Sequence, residues 1–209
     1  MNAYQLLTLN MVLNRYKTKV LAVNGEIYNH KILASQHTSD YPFQTASDCE
    51  IITPMFEKFG SDFVDKLQGM FAFCLYNEVD NSYLIARDHM GIIPLYTGYD
   101  AEGNFYVASE MKALMPICKT VEEFPPGHVL DSRVGKLVKY YQRNWQKYSA
   151  IKDNNTSKEK IREALEESVK SHLMTDVPYG VLLSGGLDSS LISAITQKFA
   201  ARRIEENDL

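Results

Sequence analysis

The run Ser184-Gly185-Gly186-Leu187-Asp188-Ser189-Ser190 holds the most specific chemistry in the sequence. Two adjacent glycines remove side chains where a backbone must come close to a ligand. Successive N–H groups ahead of a helix start make a concave site for an anion such as phosphate. Ser184, Ser189 and Ser190 add hydroxyl donors. Asp188 can either cap the following helix or help hold Mg²⁺. No Gly-Lys-Ser/Thr triplet follows, so the loop lacks the lysine of a Walker A phosphate site. A second group of polar residues, Asn24-Gly25-Glu26 and Asp48, is read from the residues alone in two ways. Asn24-Gly25 is a turn and Asp48 a helix cap, or the four line a site. The histidines His30, His37, His89, His128 and His172 show no metal-ligand spacing, and Cys49, Cys74 and Cys118 form neither a zinc nor a disulfide pattern.

The elements that would carry these residues fall into two groups. Val20-Leu21-Ala22-Val23 reads as a buried strand entering a turn at Asn24-Gly25. Asp48 precedes Ile51, Ile52, Met55, Phe56 and Phe59, which mark one face of a helix stopped by Gly60. Short strands follow at Met70–Tyr76, Tyr83–Ala86, Pro94–Thr97 and Phe105–Ala108, and Val129-Leu130 and Leu137-Val138 then bracket a turn ending at Gly135. Many short strands with few helices between them imply an α+β, mostly antiparallel layered domain. After a polar linker at Lys152–Asn155, Thr156-Ser157-Lys158-Glu159 reads as a capping box. A helix with Ile161, Leu165, Val169, His172 and Leu173 on one face follows. Tyr179–Leu183 then reads as a buried strand, and Leu191, Ile192, Ala194, Ile195 and Phe199 as a helix. Helix, strand, glycine loop and helix are the opening of a parallel α/β nucleotide-binding domain, which the 209 residues leave incomplete.

Composition narrows the function. Hydrophobic residues are 45% and charged residues 23%, as in an ordinary globular protein. The 22 basic side chains are scattered and outnumbered by 26 acidic ones, so the clustered basic face of a nucleic-acid binder is missing. The longest clean apolar run, Met70–Tyr76, is far too short to cross a bilayer. Leu6-Leu7-Thr8-Leu9 has no positive charge before it, so no secretion leader is expected. Reduced thiols and a cytoplasmic location follow.

Several of these segments resemble known families. Ser184 to Ser190 is similar to the pyrophosphate loop of the ATP pyrophosphatase superfamily. Asn24-Gly25-Glu26-Ile27-Tyr28-Asn29 and Thr45-Ala46-Ser47-Asp48-Cys49-Glu50 resemble the glutamine-binding motifs of class II glutamine amidotransferase domains. Ala86–Tyr96 and Ala108–Leu114 fit the same domain type. In this order the motifs resemble glutamine-hydrolysing asparagine synthetases. The resemblance implies an Ntn-type glutaminase domain over 20–150, the start of an ATP pyrophosphatase-like synthetase domain over 151–209, and a poorly matched segment over 1–19. It implies an oxyanion hole from the Asn24 side chain and the Gly25 N–H, and carboxylates of Glu26 and Asp48 around the α-amino group of glutamine. It further implies ATP contacts from Leu182, Ser184, Gly185, Gly186, Leu187, Asp188, Ser189 and Ser190, with Mg²⁺ at Asp188. Glutamine, aspartate and ATP would be substrates, giving asparagine, glutamate, AMP and pyrophosphate. No nucleic acid or membrane is involved, and a homodimer is left open.

One departure is large. The family's nucleophile is an N-terminal cysteine, whose own α-amine can act as its base. This sequence begins Met1-Asn2-Ala3, and none of its cysteines becomes terminal by loss of the initiator. The expectation is a chain truncated at both ends, as a gene fragment, a split subunit or a misassigned reading frame. It should not hydrolyse glutamine. Rival readings are a β-lactam synthetase-like enzyme with the same two domains, or a non-catalytic interaction protein that keeps the glutaminase fold.

Overall fold

The computed structural model describes residues 5–6, 12–16, 18–153, 155–175 and 178–207, with backbone only for 5–6, 12–16 and 201–207. The chain forms two compact units, residues 1–143 and 144–209. No helix of the described residues is long and apolar enough to cross a membrane.

The first unit is built on two sheets. Strands β1 (Gln5–Leu6), β2 (Val12–Tyr16) and β3 (Lys19–Ile27) come first, followed by helices α1 (His30–His37) and α2 (Ile52–Phe59). Strands β4 (Gly69–Asn77), β5 (Ser82–Arg87), β6 (Tyr96–Tyr99) and β7 (Phe105–Ala108) precede a short helix α3 (Met111–Leu114). Strands β8 (Thr120–Glu123), β9 (His128–Asp131) and β10 (Lys136–Lys139) close the unit. One sheet has six strands in the order β10-β9-β5-β4-β3-β2, all antiparallel. The other has four, β1-β7-β6-β8, with β1 parallel to β7.

Strand β4 explains the layering. Its side chains alternate between large and small, so the two faces of the six-stranded sheet differ. Phe71, Phe73 and Leu75 join Leu21, Val23, Leu84 and Ala86 in a core completed by Ile52 and Met55 of α2 and by Phe63 and Val64 of the following 3₁₀ turn. Ala72 and Cys74 face the other way, with Ile85, toward Phe105 and Val107 of the second sheet and Leu95 and Phe124 beside its strands β6 and β8. Tyr106 and Ala108, on the far face of that sheet, pack with Leu114 of α3. The order is helix, sheet, sheet, helix. A strand covered on both faces reads as a continuous apolar run, which is why Met70–Tyr76 is unbroken.

Several sequence expectations change. Val20–Val23 does not end in a turn at Asn24-Gly25. Strand β3 continues through both to Ile27, paired with β4 along its whole length, and the turn comes at Tyr28-Asn29. Asp48 does not cap α2. It opens a 3₁₀ turn, Asp48–Ile51, and Ser47 holds the position before it. Gly60 does stop α2, in the left-handed region at φ 60°. Strand β6 begins at Tyr96, two residues later than expected.

The second unit has α4 (Tyr148–Ile151), α5 (Lys158–His172) and α6 (Leu187–Asn207). The cap of α5 is Ser157 rather than Thr156: its hydroxyl accepts from Lys160 N–H at 3.2 Å. Helices α5 and α6 join through a Lys198–Glu166 ion pair of 2.7 Å, and Val169 and Ile195 are buried. Tyr179–Leu183 is not a strand. It has no regular structure, and Leu182 is 95% exposed. An extended segment needs a neighbour for its backbone groups, and none of the described residues pairs with it.

This distribution sets an exchange pattern. Backbone amides of Phe71–Leu75 and Leu84–Ala86 should exchange slowly, and those of 178–184 within the dead time of a conventional experiment. Protection through Leu183 equal to that of β4 would contradict it.

Candidate active site

Asn24, Gly25 and Glu26 lie at the end of β3, where Asp48 joins them, and glycine makes this possible. Gly25 has φ 141°, and a Cβ there would lie 2.1 Å from the carbonyl oxygen of Met70. A Cβ at Gly69 would lie 2.0 Å from the Glu26 carbonyl oxygen. Strands β3 and β4 therefore approach each other as only glycine permits.

The pairing also fixes where the Gly25 peptide groups point. Gly25 lies opposite Phe71, whose N–H donates to the Asp88 carboxylate at 3.3 Å and whose carbonyl accepts from Asp88 N–H at 2.8 Å. Both polar groups of Phe71 thus face β5. Gly25 and Phe71 are then a non-hydrogen-bonded pair, and the N–H and C=O of Gly25 turn away from β4. The carbonyl accepts a hydrogen bond from the Cys49 thiol at 3.4 Å. The N–H points from the same edge, where the described pairing with β2 reaches only to Val23.

Asp48 is brought to this edge by two contacts of its 3₁₀ turn. Its carboxylate accepts from Ile27 N–H at 2.5 Å, and the neighbouring Cys49 bonds Gly25. The electrostatics agree. Burial pushes the Tyr28 phenol up to about 12, aided by the nearby charges of Glu26, Asp88 and Asp48. Burial, then Asp48, then Glu26 push the Cys49 thiol far above its ordinary value. Glu26 and Asp48 thus act on the same two groups. Asn24, Gly25, Glu26 and Asp48 are all half-buried.

Behind this edge lies a support that carried no assigned role in the sequence. Arg87, buried, donates to the carbonyls of Ile93, Gly91 and Phe124 at 2.7–2.9 Å and to Glu123 at 2.7 Å. Asp88, also buried, accepts from the N–H groups of Met90 and Gly91 at 2.9 and 2.7 Å. Adjacent buried opposite charges were the available signal, because such groups persist only when fully hydrogen-bonded.

The thiols are poorly placed for nucleophilic work. Cys74 is buried and burial pushes it up to about 12. Cys118 is raised by burial and by Asp100. A thiolate is the reactive form, so all three are weak nucleophiles at neutral pH.

The glycine loop of the second unit is a separate site. Gly185 has φ 86°, in the left-handed region. Ser184 and Ser189 hydroxyls are 3.0 Å apart, and Ser189 and Ser190 hydroxyls donate to the Gly186 carbonyl at 3.1 and 2.7 Å. Leu187 and Asp188 form the first turn of α6, and Leu187 is 84% exposed. No group of three or more His, Cys, Asp or Glu able to hold a metal ion occurs among the described residues.

The helix, sheet, sheet, helix arrangement is that of an α+β, Ntn-type glutaminase domain. Residues 10–130 match the glutamine amidotransferase domain family, to which the chain belongs, and residues 160–206 match the asparagine synthase family. Asparagine synthetase B [glutamine-hydrolyzing] of Escherichia coli is 61% identical over 195 residues, covering 93% of this chain and 35% of that protein. A probable asparagine synthetase [glutamine-hydrolyzing] of Dictyostelium discoideum is 44% identical over 203 residues, covering 94% and 36%. The chain thus spans about a third of the length of the curated relatives it matches. Among solved structures, a glutamine phosphoribosylpyrophosphate amidotransferase from B. subtilis, complexed with ADP and GMP, matches with a TM-score of 0.53 and 25% identity. That match covers 65% of this chain and 32% of the other.

The thiol environments give an order of reactivity. Iodoacetamide at pH 8 should label half-buried Cys118 first and leave Cys49 and Cys74 unmodified until the fold opens. Labelling of Cys49 in the folded chain at the rate of a free thiol would contradict the site described.

Proposed function

We propose that this chain carries the glutamine end and the first part of the ATP end of an asparagine-forming amidotransferase. In the whole reaction, aspartate is activated by ATP and amidated with nitrogen from glutamine, giving asparagine, glutamate, AMP and pyrophosphate. The observation that carries the reading is the anchoring of the Asp48 carboxylate on Ile27 N–H, next in the chain to Glu26 and beside an outward Gly25 N–H. Two carboxylates suit the glutamine ammonium, and the N–H with the Asn24 amide suits the oxyanion formed when the side-chain amide is attacked. Asparagine synthetase names among the relatives, and the match of residues 160–206, support the amidation half.

The loop 184–190 is the proposed binding site for the ATP phosphates, with Leu182 toward the nucleoside. Asp188 is a single carboxylate, which is enough for Mg²⁺, because that ion is usually held by one or two carboxylates together with substrate phosphates and waters. When bound, Mg²⁺ would neutralise charge on the departing pyrophosphate. Cytoplasmic location belongs to the same reading and is supported by three free thiols. The excess of acidic over basic side chains supports the absence of a nucleic-acid partner. Assembly as a homodimer rests on the resemblance alone.

Glutamine binding tests the first site. Asp48→Asn should weaken L-glutamine binding by about 2 kcal/mol, roughly thirtyfold, measured by NMR titration of the 209-residue chain. Unchanged affinity would remove Asp48 from the site. The same chain should release no glutamate in a glutaminase assay, since an oxyanion hole alone leaves only about 10³ to 10⁴ over water. Robust release abolished by Cys49→Ala would make Cys49 the nucleophile. For the second site, the exposed loop should bind MgATP with a Kd near or above about 1 mM, about −4 kcal/mol. Micromolar affinity in calorimetry would contradict this.

A further inference from the structure

Glu50 is among the most buried charged side chains of the described residues, at 2% exposure. Its two carboxylate oxygens are saturated by one short segment. Oε1 accepts from Gln44 N–H at 2.8 Å, and Oε2 accepts from Thr45 N–H at 2.7 Å and the Thr45 hydroxyl at 2.5 Å. The Thr45 hydroxyl oxygen accepts in turn from Ser47 N–H at 3.2 Å, and Glu50 N–H returns to the Ser47 carbonyl at 3.2 Å. Residues 44–47 have no helix or strand to hold them. The buried carboxylate replaces that missing support, and Asp48 begins where the wrapped segment ends.

We infer that Glu50 is a positioning residue that sets Asp48 for the ammonium of glutamine, and the inference rests on the site reading above. The physical reason is the charge. A carboxylate is an acceptor at both oxygens and can take N–H groups from two successive residues and a hydroxyl at once. The isosteric amide accepts at one end only and carries an NH₂ at the other, so one end would set an NH₂ against a backbone N–H. The segment must then move to relieve the clash, and Asp48 is the next residue along. Asp48 itself is tied to Ile27 N–H by one bond of 2.5 Å, so its carboxylate is fixed from two sides: β3 behind, and the 44–47 loop before.

The test separates positioning from general damage. L-Glutamine and glutaramic acid, which lacks only the α-amino group, are titrated into the wild-type 209-residue chain and into Glu50→Gln, followed by NMR. The wild-type chain is expected to prefer glutamine. Glu50→Gln should reduce that preference by about tenfold, with affinity for glutaramic acid held within about twofold. Thr45→Val removes the hydroxyl's bonds to Glu50 and from Ser47 N–H while leaving the carboxylate, and should reduce the preference about threefold, which serves if Glu50→Gln does not fold. Equal loss of both ligands in the variants, or an unchanged preference, overturns the positioning role. A wild-type chain that does not distinguish the two ligands overturns the site reading itself and, with it, this inference.

Discussion

The close approach of β3 to β4 at Gly25 and Gly69 is the constraint on which the site depends. Neither position has room for a Cβ, and Gly25 also adopts a conformation that L side chains rarely take. Because Asp88 takes both polar groups of Phe71, the opposite residue must turn its peptide groups outward. The outward carbonyl receives Cys49, and the 3₁₀ turn that carries Cys49 also brings Asp48 against Ile27. The Gly25 N–H and the Asp48 carboxylate, the proposed partners of the oxyanion and the ammonium, are thus set by one stretch of backbone. The buried Arg87 and Asp88 keep β4 and the loops behind it in place, which is the rigidity such a site needs.

Much of the first unit was legible in the sequence because its signals are local. The aromatic run of β4, the hairpin of β9 and β10, and the Gly60 stop after α2 each follow from patterns within a few residues. Asn24-Gly25 was misleading for a physical reason. The same dipeptide favours a tight hairpin turn and also permits a close strand contact, and only the position of β4 decides between them. Asp48 misled similarly. An acidic residue ahead of an apolar helical face looks like a cap, whereas here its carboxylate goes to Ile27, 21 residues away in sequence. Helix α1 has one buried residue, Leu33, and so left no apolar period to read.

The second unit shows the limit of local signals from the other side. Val181-Leu182-Leu183 has the composition of a buried strand, yet these residues are exposed, because strand formation requires a partner backbone. The loop 184–190 kept its local geometry without that partner: the left-handed Gly185, the serine bonds to Gly186 and the start of α6 are all present. Glu50 lies between these cases. Its partners are local, but only burial reveals that its charge is spent on the backbone.

The account stands on glutamine being held by Glu26 and Asp48 at the end of β3. A crystal structure of the chain grown with L-glutamine tests this most directly. The account predicts the α-amino nitrogen within hydrogen-bond distance, about 2.7–3.2 Å, of both carboxylates, with the side-chain amide oxygen toward Gly25 N–H. Glutamine bound elsewhere, for instance in the cavity of about 450 Å³ between Asp62, Val138 and Tyr140, with the β3 edge unoccupied, would contradict it.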